Sequence, residues 1–243
     1  MPLTHITKGV SAEDIVRASS IRPEGVCAVF NEPLSYFFYG RPAYRISDEG
    51  ALKVEAACPY CFIFDSALIN NAKRIHAFDT GAFAKRMYKH VMTDEMRLED
   101  FSLELDSTRP NRIIASVFAT KRAYFDGDTT QVVEPDKAAE PWEFHARAYL
   151  QLLASRGRNE PDDRICSIEV LFGAPVPLTG NLKAVVVPHT LWGTGRRAPW
   201  LMSLSNANVE ILPYSFIPGR HPEHYHALLE MAVRDLYERW GLL

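Results

Sequence analysis

One carboxylate stands inside an otherwise apolar run. In Cys166–Phe172, CSIEVLF, Glu169 lies between Ile168 and Val170. Drawn as a strand, the run puts Ser167, Glu169 and Leu171 on one face and Ile168, Val170 and Phe172 on the other. Glu169 then faces either solvent or a cleft, and in a cleft it can move a proton or stabilise developing positive charge. A second stretch, Ser35–Arg45, reads SYFFYGRPAYR, with four consecutive aromatics running into Gly-Arg-Pro. It reads either as a buried strand ending in a surface turn or as a platform that stacks a flat ligand and grips its phosphates. In the second reading the aromatics supply ring faces and the arginines planar forks.

Other motifs are weaker. Cys58 and Cys61 form CPYC, which suits a redox pair, half a zinc site or two small apolar residues. The redox form opens a helix, but here FIF follows directly, a strand pattern. Zinc would need more ligands, and HPEHYH offers His221, His224 and His226. HAFDTGAF, His76–Phe83, holds an Asp-Thr-Gly. In aspartic proteases that triplet requires a second copy to share a proton. A turn with Asp79 as the N-cap of a short helix, and Ala82, Phe83 and Met87 on its inner face, accounts for it better. Gly193–Gly195 followed by Arg196 and Arg197 suits a phosphate-holding loop, though an ordinary loop accounts for it better. P-loop, GxGxxG, HExxH and GxSxG patterns do not occur.

The chain of 243 residues is long enough to bury a full core. Its net charge of −3 offers no global attraction for nucleic acid or an anionic membrane. Only local clusters such as Arg109/Arg112, Lys121/Arg122 or Arg196/Arg197 could serve a nucleic-acid acceptor. No apolar run is long enough to span a bilayer, and the first residues lack a signal peptide's pattern. With four cysteines, too few for a disulfide scaffold, a cytoplasmic protein is expected.

Several elements must position these groups. Tyr225, Leu229, Ala232, Val233, Leu236 and Trp240 recur at helical spacing behind Pro222, and Gly241 follows as a cap. A second helix is predicted over Pro141–Ser155, stopping at Gly157, and a short one after Ser11 with Asp14 completing its N-terminal box. Predicted strands are Val26–Phe30, Cys61–Phe64, Arg112–Ala119, Cys166–Phe172, Ala184–Val187 and Val209–Ile211. Asp126–Pro141 reads as an exposed loop. The irregular mixture favours α+β over a doubly wound sheet.

Three separated segments together resemble the ADP-ribosyltransferase superfamily. LTHITKGVSAEDIVRASSIRPEG is similar to its opening strand with a His-x-Thr, then helix and turn. VFNEPLSYFFYGRPAYR looks like the aromatic-Arg-Pro segment of bacterial DarT-type nucleic-acid ADP-ribosyltransferases. CSIEVLF with PLTGNLKAVVVP resembles the late strand bearing the catalytic glutamate. The Glu-x-Glu of the arginine-modifying branch is absent, because Ser167 precedes Glu169 by two. The resemblance implies a split β-sheet core with peripheral helices, one domain over 1–243 with an insertion around 51–140, and NAD as substrate. It implies Glu169 and Arg41 as catalytic residues, and His5, Thr7, Tyr36, Tyr39 and Arg41 as the NAD contacts, with no metal. The expected activity is transfer of ADP-ribose to nucleic acid or protein, as in a toxin or defence factor that could have an antitoxin partner. The alternatives are an NAD glycohydrolase at the same site, a non-catalytic nucleotide-binding module, and a Cys/His zinc protein.

Overall fold

The computed structural model describes residues 1–43, 50–155 and 164–243. Tyr44, Arg45 and Gly157 fall outside that description. Eight strands build one mixed sheet: β1 Leu3–Lys8, β2 Ser35–Tyr39, β3 Pro59–Phe64, β4 Arg74–His76, β5 Ser102–Leu103, β6 Glu169–Phe172, β7 Leu182–Pro188 and β8 Glu210–Tyr214. Their order is β8-β7-β3-β1-β2-β6-β4-β5. β7 and β8 run parallel, and the other neighbours run antiparallel. The helices are α1 Gly9–Ala18, α2 Thr80–Ala84, α3 Arg109–Val117, α4 Lys121–Asp126, α5 Pro135–Ala138, α6 Phe144–Ala154, α7 Pro199–Asn206 and α8 Pro222–Arg239. The expected α+β class is what forms. The 51–140 stretch supplies β3, in the middle of the sheet, as well as β4 and β5.

Burial explains the central elements. All six residues of β3, PYCFIF, are buried, so this strand is covered on both faces and carries no polar alternation. On α8, Tyr225, Leu229, Val233 and Leu236 are fully buried, and the helix packs against β3, β7 and β8. Each such side chain contributes about 1.5–3 kcal/mol by leaving water. Pro222 starts this helix and Trp240 caps it.

Other elements depart from the sequence reading. Arg112–Ala119, expected as a strand, lies mostly in α3, with Pro110 in its first turn and Ile114 buried. Its β-branched residues suggested a strand, but one-sided packing and the proline start decide for a helix. Val26–Phe30 is a strand only at Val26–Cys27, and a turn through Asn31 (φ 52°) returns it along Glu32–Pro33. α1 starts at Gly9 rather than Ser11, because its first turn packs on Ala56, where a Cβ on Gly9 would sit 2.9 Å from the Ala56 Cα. The expected loop Asp126–Pro141 contains the single turn α5.

One irregularity prepares the site. β1 continues along β3 as far as Lys8↔Pro59, but it pairs with β2 only at Leu3↔Tyr39 and Thr4↔Phe38. Beyond Thr4 the two strands part, and the His5 ring bridges the gap, with Nδ1 2.8 Å from the Tyr36 carbonyl oxygen.

Candidate active site around Glu169

Glu169 is the first residue of β6, and its register partners are Phe38 on β2 and His76 on β4. Directly opposed residues project to the same face, so Phe38, Glu169 and His76 stand in a row. The strand starts at Glu169 rather than Cys166. Ser167, expected beside Glu169, lies ahead of it in a buried connection, and its hydroxyl has no partner among the described residues.

A cavity of about 670 Å³ opens over Phe38 and Glu169. Its lining includes His5, Tyr36, Phe38, Asp79, Thr80, Arg164 and Glu169. Asp79 caps α2, accepting from the Ala82 N–H at 2.7 Å, as the sequence suggested. The helix start thereby turns the Thr80 N–H toward Glu169, which accepts it at 3.2 Å. Arg164 forms an ion pair with Asp79 at 3.0 Å, and its guanidinium carbon lies 5.8 Å from the centre of the Phe38 ring. The hairpin Val26–Cys27/Glu32–Pro33 closes one wall with Cys27, Ala28 and Val29. It is anchored by ion pairs from Glu32 to Lys73 and Arg74, by Phe30 stacked on His76 at 5.6 Å, and by Arg74 over Phe30 at 4.5 Å.

Electrostatics sort these groups by charge. Glu169 is 1% exposed, and its pKa is pushed up to about 8, first by burial and then by the Asp79 charge. Hydrogen bonds from the Thr80 hydroxyl and then the Thr80 amide, with the charge of Arg164, oppose the rise without cancelling it. At neutral pH Glu169 is therefore mostly a carboxylic acid, and Asp79 is the ionised partner of Arg164. Burial lowers the pKa of His5 and brings His76 down to about 4, so both imidazoles are neutral. A carbonyl only accepts, so the bond to Tyr36 assigns the proton of His5 to Nδ1 and leaves Nε2 as an acceptor. Burial also raises the Tyr36 hydroxyl pKa, keeping that ring neutral.

The cavity brings together three of the residues expected from sequence: His5, Tyr36 and Glu169. Thr7 lies further along β1, opposite Tyr60, and is not among the lining residues. Tyr39 is buried on the opposite face of β2 from Tyr36's neighbour Phe38, and its hydroxyl meets the Met1 amino group at 2.6 Å. Arg41 also lies outside the lining, paired with Glu230 on α8 at 3.4 Å. Asp79, Thr80 and Arg164 were not expected in the site. Asp79 and Thr80 looked like a helix cap because they are one, and nothing in the sequence marks Arg164.

Cys58, Cys61 and the late histidines are not among the lining residues of this cavity. Cys58 and Cys61 are buried free thiols, and burial pushes the Cys58 thiol up to about 11. His221 precedes α8, and His226 Nε2 lies 3.1 Å from the Pro42 carbonyl oxygen. Among the described residues no group of three or more His, Cys, Asp or Glu side chains could hold a metal ion, and no helix is long and apolar enough to cross a membrane. Comparison with known proteins gives no matching family model, no matching curated protein and no matching solved structure.

Proposed function

We propose that the protein is an NAD-dependent ADP-ribosyltransferase, which breaks the nicotinamide glycosidic bond of NAD and passes ADP-ribose to a nucleic-acid or protein acceptor. The observation that carries this reading is Glu169, a buried carboxyl at the head of a central strand, flanked in one cavity by Tyr36 and His5. Tyr36, 37% exposed, offers a ring face to the nicotinamide, whose cationic form suits an aromatic surface. The His5 Nε2 acceptor suits an amide N–H or a ribose hydroxyl.

Glycosidic cleavage passes through an oxocarbenium-like transition state, which a carboxylate stabilises. As the C1′–N bond breaks, its electron pair leaves with the nicotinamide nitrogen and cancels the charge there. The new bond forms between C1′ and the acceptor, whose proton passes to the Glu169 carboxylate. Glu169 must therefore be ionised in the reacting complex. A cationic ring bound beside it favours that form and draws its raised pKa down.

Asp79 favours a second reading at the same site, NAD hydrolysis. A second buried carboxylate in the cavity could orient a water in place of the macromolecular acceptor. Labelled NAD incubated with and without DNA, RNA and protein separates the two: transfer leaves label on one acceptor, and hydrolysis leaves free ADP-ribose. Under either reading the wild type releases nicotinamide, and Glu169→Gln releases it at least about 100-fold more slowly. Equal rates in the two proteins would remove Glu169 from the mechanism.

A further inference from the structure

We infer that Arg164 is the residue that receives the diphosphate of the dinucleotide, with Asp79 as an internal carboxylate that competes for the same guanidinium. This rests on the proposed use of NAD and assigns the anion-binding part of its site.

Arg164 lines the cavity with its side chain 13% exposed. Asp79 engages Nη2, while Nε is buried without a hydrogen-bond partner among the described residues. Beside it Thr80 is fully buried and lines the same cavity. Buried donors such as the Arg164 Nε are normally satisfied, and a charged one is the costliest to leave unmet. A phosphoryl group offers an oxygen to the Arg164 Nε, and the planar guanidinium fork suits it. The Arg164 backbone sits at φ 40°, in the left-handed region that a long side chain rarely adopts and that is enriched at ligand clamps.

Charge permits the exchange. Glu169, held largely neutral near pH 7, does not repel an incoming anion. Asp79 keeps the Ala82 N–H when Arg164 turns to a ligand, so it is not left without a partner. A diphosphate carries more charge than one carboxylate and so competes effectively for the guanidinium. Arg41, which the sequence offered for this role, is turned to Glu230 outside the lining.

Calorimetric titration with inorganic pyrophosphate, with adenosine as the phosphate-free control, tests the assignment. Arg164→Lys keeps the charge beside Asp79 but loses the fork, and is expected to weaken pyrophosphate about 10-fold or more while leaving adenosine unchanged. Asp79→Asn removes the competitor, and is expected to tighten pyrophosphate several-fold. A purely structural ion pair predicts the reverse for Asp79→Asn, so that arm decides even where Arg164→Lys folds poorly. Wild-type affinity in Arg164→Lys, weakened binding in Asp79→Asn, a loss confined to Arg41→Gln, or no pyrophosphate binding by the wild type would each overturn the assignment. Nicotinamide release is read separately. A wild type that binds pyrophosphate through Arg164 but releases no nicotinamide keeps the subsite and loses the proposed reaction. Release with an unchanged KM for NAD in Arg164→Lys keeps the reaction and loses the subsite.

Discussion

Glu169 holds its proton for two reasons that a titration can separate. Burial disfavours its anion, and Asp79 adds a like charge. In the unfolded chain a glutamate titrates near 4.5, whereas folded Glu169 titrates near 8. Between these values the folded state binds the extra proton, so this residue's contribution is fully present below pH 4.5 and is lost as pH rises through 8. The Met1 amine and the buried histidines shift in the opposite direction, so the wild-type curve alone does not isolate Glu169. The difference from Glu169→Gln does. The variant's unfolding free energy should gain on the wild type's steadily from pH 5 to pH 8, by on the order of a few kcal/mol at the upper end. A constant offset across that range would mean that Glu169 titrates normally. The same proton predicts a kinetic signature: wild-type kcat/KM for nicotinamide release should rise with pH toward 8, and this limb should be absent from the residual activity of Glu169→Gln.

At the scale of elements, the strand carrying Glu169 takes its angle from a helix as well as from its sheet neighbours. The Tyr124 hydroxyl on α4 donates to the Tyr39 carbonyl at 2.7 Å and accepts from the Ile168 N–H at 3.1 Å. It thus prolongs the β2–β6 pairing by one step, alongside the Tyr39 N–H bond to the Ile168 carbonyl at 2.9 Å. Tyr124→Phe leaves the buried Ile168 N–H unpaired, while the Tyr39 carbonyl keeps its second donor, the Arg41 N–H at 2.8 Å. It should cost about 1–3 kcal/mol, measured as a lower denaturant midpoint at unchanged slope. Because Ile168 adjoins Glu169, nicotinamide release should fall as well. Strongly periodic or continuously apolar segments were legible in the sequence. α8 announced itself through Tyr225, Leu229, Val233 and Leu236, and β3 through its unbroken apolar run. Glu169 was legible because a carboxylate in such a run needs a reason. The Asp79–Arg164 pair was not, because its members are far apart in sequence and only the docking of α2 beside β6 brings them together. α3 was misread because β-branched composition is a weaker signal than the packing that overrides it.

At the scale of the molecule, stability rests on α8 covering the middle of the sheet. Leu229 is fully buried in the main core, and Leu229→Ala should cost about 2–5 kcal/mol, seen as a fall in the denaturant midpoint. Nicotinamide release per folded molecule should stay near wild type, since Leu229 is not among the cavity residues. The strand order also governs how the chain is made. β6 sits between β2 and β4, both completed long before it in the sequence. While a ribosome builds the chain, these two strands present open edges to each other until residues 169–172 emerge and fill the slot. Open edges invite pairing with other chains, so this interval is when the nascent protein is most exposed to aggregation. Because Glu169 itself heads the filling strand, the step that ends this exposure also delivers the carboxyl to the cavity. A chain halted before that point should carry neither the finished sheet nor the carboxyl on which the proposed reaction depends.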